Sequence, residues 1–318
     1  MSDEVIKDAI MVGAGPSALT AAIYTTREDI GTTLYEKGVV GGLAAITDMV
    51  DNYPGFPDGI EGMKLADLLQ KQAERFGAHI DYGDVTAIRD EGDYRVVTVD
   101  GREENARTVL IATGSDYNKI GVPGEAEYYG RGVHYCATCD GAFYRDKRLV
   151  VVGGGNSGVQ EAIFLTRFAS HIDLLVRSTV KASEVLQKDL QKYVDEGKVT
   201  IHLNTTTEAI VVDENKKVYK VDALKKGEHT EFPTDGVFIF VGLKPNTQFL
   251  EGSAIELDEQ GLIKTDRHLA TSMTGVYASG DVRSGATMQI ASAAGEGATA
   301  ALSIREFIDE YKRLTTNA

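Results

Sequence analysis

The apolar positions of this chain fall into short β-branched runs closed by glycine. Residues 8–12 and 148–152 are two such runs, leading into Gly13-Ala14-Gly15 and Gly153-Gly154-Gly155. A helix-like stretch follows each turn, from 17 to about 27 and from 157 to about 168. A second apolar run comes next, at 32–35 and 172–176. Strand, turn, helix, strand is how a doubly wound nucleotide-binding fold opens. One glycine fingerprint is a weak signal, and two copies in the same context are a strong one.

Two further stretches frame the second copy. Residues 109–114 form a strand ending in a glycine turn. Residues 275–281 form another, ending in Gly280-Asp281, and small residues at 293–298 open a helical run to about 314. The layout this predicts is α/β, with two Rossmann-like three-layer domains, the second inserted into the first. The crossings fall near 115–119 and 242–247, where Pro245 favours a turn. The expected parts are 1–117 and 246–318 for one nucleotide domain and 118–245 for the other. Lys216, Lys217, Lys225 and Lys226 are expected on exposed hairpin turns.

The 318 residues suit two domains of ordinary size. A net charge of −15 disfavours nucleic acid and anionic membranes as partners. No segment has the roughly 18–20 uninterrupted apolar residues of a membrane helix. The N-terminal stretch is acidic, unlike a signal peptide, so a cytoplasmic location is expected. The two cysteines, Cys136 and Cys139, are too few for a four-thiolate zinc site, and no metal is expected. In a cytoplasmic chain this spacing reads as a redox pair.

At the first turn, Gly13 permits the bend and Gly15 lets a pyrophosphate approach the helix N-terminus. Glu36, 23 positions after Gly13, stands where a carboxylate accepts hydrogen bonds from a ribose. The same register after Gly153 gives Val176, followed by Arg177, Ser178 and Lys181. Cations with a hydroxyl welcome a ribose 2′-phosphate that a carboxylate would repel, which argues for NADPH. Gly158, in third place of that fingerprint, is the residue often associated with NAD. A helix starting at the cysteines would favour a thiolate. Asp140 then reads either as the group exchanging protons with the thiols or as a helix cap.

These residues together resemble the low-molecular-weight thioredoxin reductases, over essentially the whole chain. Residues 135–141, Tyr-Cys-Ala-Thr-Cys-Asp-Gly, carry most of the resemblance. Gly41-Gly42, the run 51–55, Ala112-Thr113-Gly114 and Gly280-Asp281 match that family's FAD-domain motifs. The resemblance implies an FAD enzyme passing electrons from NADPH to thioredoxin or a thioredoxin-like protein, and a homodimer. It implies that Cys139 faces the flavin, Cys136 attacks the partner disulfide and Asp140 is the acid/base. It places FAD on Gly13, Gly15, Pro16, Ser17, Glu36, Lys37, Gly41, Gly42, Leu43, Asn52, Val85, Ala112, Thr113, Gly114, Gly280, Asp281, Gln289 and Ile290. It places the pyridine nucleotide on Gly154, Gly155, Asn156, Ser157, Arg177, Ser178 and Lys181.

The sequence departs from the family pattern at several points. Val176-Arg177-Ser178 stands in place of His-Arg-Arg. Gly158 and Gln160 replace Ala and Glu, Leu43 replaces Gln, and Met288 replaces the Arg before Gln289. These departures leave NADH, ferredoxin or another electron donor as alternatives. The segments 172–190 and 242–247 also resemble the flavoprotein subunit of alkyl hydroperoxide reductase. A dithiol oxidase and a redox-sensing nucleotide-binding protein are the competing functions.

Overall fold

The computed structural model describes residues 6–47 and 49–316 and divides into two units. One runs to Asp116 and resumes at Lys244, and the other is Tyr117–Leu243. Both are α/β and built around a parallel sheet. In the discontinuous unit, strands His79–Tyr82, Thr32–Glu36, Ile6–Val12 and Arg102–Ile111 lie side by side in that order. The ten-residue strand Arg102–Ile111 serves two neighbours on its far side. Its first half pairs antiparallel with Arg95–Val99, and its last three residues pair parallel with Val276–Ala278. Strand Val85–Asp90 completes the antiparallel part.

The inserted unit has five parallel strands, ordered Val133–His134, Gly236–Ile239, Arg148–Val152, His171–Val176, Val199–Leu203. A three-stranded antiparallel meander, Thr205–Val212, Val218–Lys225 and Glu228–Pro233, forms its third layer. Lys216 and Lys226 sit in its two turns with positive φ, as an exposed hairpin tip allows.

Side chains alternate across each parallel sheet, so consecutive apolar residues serve different layers. Ala9 and Met11 pack under helices Pro16–Thr26 and Ile290–Thr316, while Ile10 and Val12 face the antiparallel strands. Likewise Leu149 and Val151 meet helix Asn156–Leu165, while Val150 and Val152 meet the meander. Burial on both faces is why these strands read as unbroken apolar runs.

The helix expected from 157 to about 168 stops at Leu165. The next amides, of Thr166, Arg167 and Phe168, bond three residues back and close it as a turn. The C-terminal helix begins at Ile290, three residues before the small-residue stretch.

That helix packs closely on Pro16–Thr26 through Gly297. A Cβ at Gly297 would stand 2.1 Å from the Ser17 carbonyl oxygen. Gly297→Ala gains about 1 kcal/mol of helix propensity. Overpacking against backbone costs roughly 1–3 kcal/mol, so the clash wins. The variant should melt several degrees below wild type, and an unchanged or higher Tm would show that the two helices can separate without cost.

Within the inserted unit, Asp173 is 2% exposed. Burial opposes its charge, but hydrogen bonds from His202 (2.8 Å) and Arg148 (2.8 and 3.0 Å) outweigh this and hold the carboxyl below its usual value. A carboxyl depressed in the folded state stabilises above its unfolded pKa of about 3.9, and this stability is lost as pH falls through the folded value. Asp173→Asn should therefore cost roughly 1–3 kcal/mol at pH 7. Melting both proteins from pH 7 to pH 3 should show the gap narrowing below about pH 4. A gap that stays constant would remove the ionised carboxyl as its source.

Candidate active site

The turn after Ile6–Val12 is shaped by backbone contact. Gly13 has φ 95°, and a Cβ there would stand 2.7 Å from the Ala112 carbonyl oxygen. Gly15 is different: its φ is −76°, and a Cβ would meet nothing within 4 Å. The fold itself does not require glycine at 15. The open space it leaves would admit a phosphate to the N-terminus of Pro16–Thr26.

Around this turn the chain gathers most of the residues expected to hold FAD. Glu36 Oε2 accepts from the Ala14 amide at 2.7 Å, and Oε1 accepts from the Gly38 amide at 2.8 Å. Gly42 approaches Gly15, and Gly280 approaches Ser17, whose hydroxyl lies 2.6 Å from that of Ser279. The Asn52 amide donates to Gln289 at 3.0 Å, beside Ile290 at the head of the C-terminal helix. Thr113 and Gly114 are tied to Asn246. Leu43 lies in the short helical turn Gly42–Ala45, opened by Gly41 at φ 100°. Lys37 is exposed beside Glu36, and Val85 is buried in the layer behind Tyr35. Burial, reinforced by the charge of Glu296, pushes the Asp281 carboxyl up to about 6. A carboxyl raised this far still accepts hydrogen bonds as a carboxylate at neutral pH and picks up a proton in mild acid, which suits the hydroxyls of a sugar-like chain. Open glycine at the helix N-terminus, a carboxylate at the end of the second strand and the Asp281 carboxyl fit FAD.

The second turn repeats the design. Gly153 has φ 142°, and its Cβ would stand 2.2 Å from the Phe240 carbonyl oxygen. Gly155, like Gly15, has open space where a Cβ would be. Gly154 is accounted for by packing, since a Cβ there would come 2.5 Å from Val176. At Gly158 a Cβ would stand 2.5 Å from the Gly153 oxygen, which explains glycine where the first turn carries Ala18.

A cavity of about 630 Å3 opens over this turn. Gly154, Gly155, Asn156, Ser157, Arg177, Ser178 and Lys181 all line it. The loop after Val176 is drawn over the glycines by the Lys181 amide, which donates to Gly154 at 2.7 Å. The Ser183 amide adds a bond to the Asn156 side chain at 2.8 Å. The side chains of Arg177 and Lys181 are exposed and form no ion pair among the described residues. Two unspent cations beside an open glycine turn fit a nucleotide with an extra phosphate on its ribose. Sequence reasoning missed Lys119 and the hydroxyl row Thr205, Thr206, Thr207, which also line the cavity. They come from other elements at no motif spacing.

Cys136 and Cys139 are joined in a disulfide. Cys136 is the N-cap of the single turn Ala137–Asp140, and its Sγ accepts from the Cys139 amide at 3.2 Å. That donor holds the Cys136 sulfur at the start of the turn. The capping role open to Asp140 falls to Cys136 instead: the Asp140 side chain caps neither this turn nor the 3-10 turn Gly141–Tyr144. Asp140 Oδ2 lies 3.2 Å from His134 Nδ1. On the other side, buried Glu125 accepts from the Ile120 and Gly121 amides and from the Tyr135 hydroxyl (2.9, 2.6 and 2.6 Å). This fastens the residue before Cys136 to the start of the inserted unit.

The comparisons agree with this geometry. The family described as pyridine nucleotide-disulphide oxidoreductase matches residues 7–297. The chain is 44% identical over 315 residues to a thioredoxin reductase of Bacillus subtilis, covering 98% of each. It is 42% identical over 314 residues to one of Listeria innocua, covering 98% of this chain and 97% of that one. The solved thioredoxin reductase of Streptococcus pyogenes superposes with a TM-score of 0.91 at 38% identity, over 97% of this chain and 100% of that one. With two glycine turns, a nucleotide cavity and a disulfide in the inserted unit, this chain belongs to the pyridine nucleotide-disulphide oxidoreductase family and, within it, to the low-molecular-weight thioredoxin reductase type.

Proposed function

We propose that this chain reduces thioredoxin, or a thioredoxin-like protein, with electrons from NADPH. The observation that carries the reading is the Cys136–Cys139 disulfide, set beside Asp140 in the unit that also holds the nucleotide cavity. The discontinuous unit holds FAD and the inserted unit holds NADPH. When bound, FAD supplies a two-electron carrier between nicotinamide and disulfide. The residues of the chain do the rest. Gly15 and Gly155 admit the pyrophosphates, Glu36 takes a ribose, and Arg177, Ser178 and Lys181 take the 2′-phosphate.

Once the pair is reduced, the Cys136 thiolate attacks the partner disulfide and releases one partner sulfur. Cys139 then attacks the mixed disulfide, restores the Cys136–Cys139 bond and releases the second sulfur. Asp140 holds or gives the proton that accompanies each thiol–thiolate change. Among the described residues no helix is long and apolar enough to cross a membrane. A reducible pair operates where thiols are kept reduced, which supports the cytoplasm. The homodimer rests on the family resemblance.

Asp140→Asn tests the proton role. The variant should keep bound FAD but slow turnover with thioredoxin by roughly 10²- to 10⁴-fold. Wild-type turnover would take Asp140 out of the chemistry.

Arg177→Ala tests the donor. A cation on a phosphate contributes a charge-assisted hydrogen bond of roughly 1.5–3 kcal/mol. Its loss should lower kcat/KM for NADPH by roughly 10- to 150-fold and leave NADH almost unchanged. Lys181→Ala should narrow the preference less, because lysine acts as a flexible point charge. A wild-type enzyme without NADPH preference refutes the assignment. Reduction by neither nucleotide makes ferredoxin the donor to test.

A further inference from the structure

Residues 133–144 leave the parallel sheet, pass through the disulfide turn and come back on themselves. His134, Asp140 and Tyr144 meet where the loop closes. We propose that His134 is a positioning residue for Asp140, holding that carboxyl beside the redox pair through one ring nitrogen while the other accepts from the Tyr144 hydroxyl. The proposal rests on the reading of Asp140 as the acid/base.

The His134 ring has little freedom. It is 5% exposed, stacked on Phe238 with centroids 5.0 Å apart, and met edge-on by Tyr144 at 5.3 Å. Its backbone is held in parallel register opposite Phe238. Nε2 lies 2.6 Å from the Tyr144 hydroxyl. Burial raises the Tyr144 phenol's pKa, and the charges of Asp140 and Asp235 act the same way, so the phenol stays protonated. A phenol can donate to Nε2 or accept from it, so the carboxyl decides the tautomer. Facing a carboxylate, which can only accept, the neutral ring carries its hydrogen on Nδ1, 3.2 Å from Asp140 Oδ2, and Nε2 accepts from the Tyr144 hydroxyl. If the ring gains a second proton, the contact becomes an ion pair. In both states an N–H faces the carboxyl.

The other titratable groups nearby are Asp235, 3.8 Å from Lys147, and Glu161, whose pKa burial raises. Glu161 lies on helix Asn156–Leu165, which packs on the disulfide turn. A side chain needed only to fill space against Phe238 would be apolar. Two buried ring nitrogens that both meet oxygen call for a polar role.

The test uses FAD-loaded enzyme and oxidised thioredoxin, with kcat followed against pH. His134→Ala should lower kcat about tenfold, the equivalent of one hydrogen bond to an ionised group. It should also move the alkaline limb about one pH unit upward, because removing an N–H donor disfavours the carboxylate. His134→Asn keeps an N–H donor near the Nδ1 position and should restore most of kcat. Tyr144→Phe keeps the ring and should move the limb the same way by less, so the proposal stays testable if the alanine variant does not fold. In an Asp140→Asn background, His134→Ala should change kcat less than about twofold, since both act through one carboxyl.

If Asp140→Asn slows turnover while His134→Ala and Tyr144→Phe match wild type in kcat and limb, this proposal fails and the Asp140 reading stands. If the losses from His134→Ala and Asp140→Asn multiply, His134 acts through the fold alone and the proposal is overturned. Wild-type turnover in Asp140→Asn overturns both.

Discussion

The constraint on which both units depend is contact of backbone on backbone at the carboxyl ends of their parallel strands. Gly13 lies against the Ala112 carbonyl and Gly153 against the Phe240 carbonyl, each closer than any side chain permits. This contact swings the chain sharply from strand into helix. The helix N-terminus then points at the space beyond the sheet, where unpaired amides and the helix dipole attract phosphate. Gly15 and Gly155 keep that space open. One steric requirement, met twice, produces two nucleotide sites in one chain.

The two sites then diverge by charge. In the first, Glu36 closes over the turn and accepts two backbone amides. In the second, the corresponding residue is buried Val176, which packs on Gly154, and the loop beyond it brings Arg177 and Lys181 to the cavity. On a chain with a net charge of −15, such local cations suit a nucleotide with an extra phosphate. The redox pair lies in this second unit, on a loop fastened at both ends. Glu125 grips Tyr135 ahead of the cysteines, and Tyr144, which follows them, reaches back to His134.

Much of this was legible in the sequence. The parallel strands announce themselves because they are buried on both faces. The glycine turns announce themselves because contact excludes a side chain at Gly13 and Gly153, while Gly15 and Gly155 keep open space beside them. Cys136 and Cys139 stand out by spacing alone. These features are local: strand, turn, helix and redox pair each complete their defining contacts within a few residues. The positions of Arg177 and Lys181 relative to the second turn could also be read, because strand length sets that register.

What the sequence left open was decided by residues that meet only after folding. It could not choose between a helix cap and a group exchanging protons with the thiols at Asp140. The structure removes the cap, which Cys136 takes, and the chain returns to bring His134 and Tyr144 to the same spot. Lys119 and Thr205–Thr207 reach the nucleotide cavity from two separate elements. The glycine at 158 is required by the Gly153 carbonyl, and that at 297 by a helix some 280 residues earlier. A sequence pattern records what each residue does for its neighbours along the chain. Which distant groups it touches is set by sheet order and helix packing, and those are properties of the whole fold.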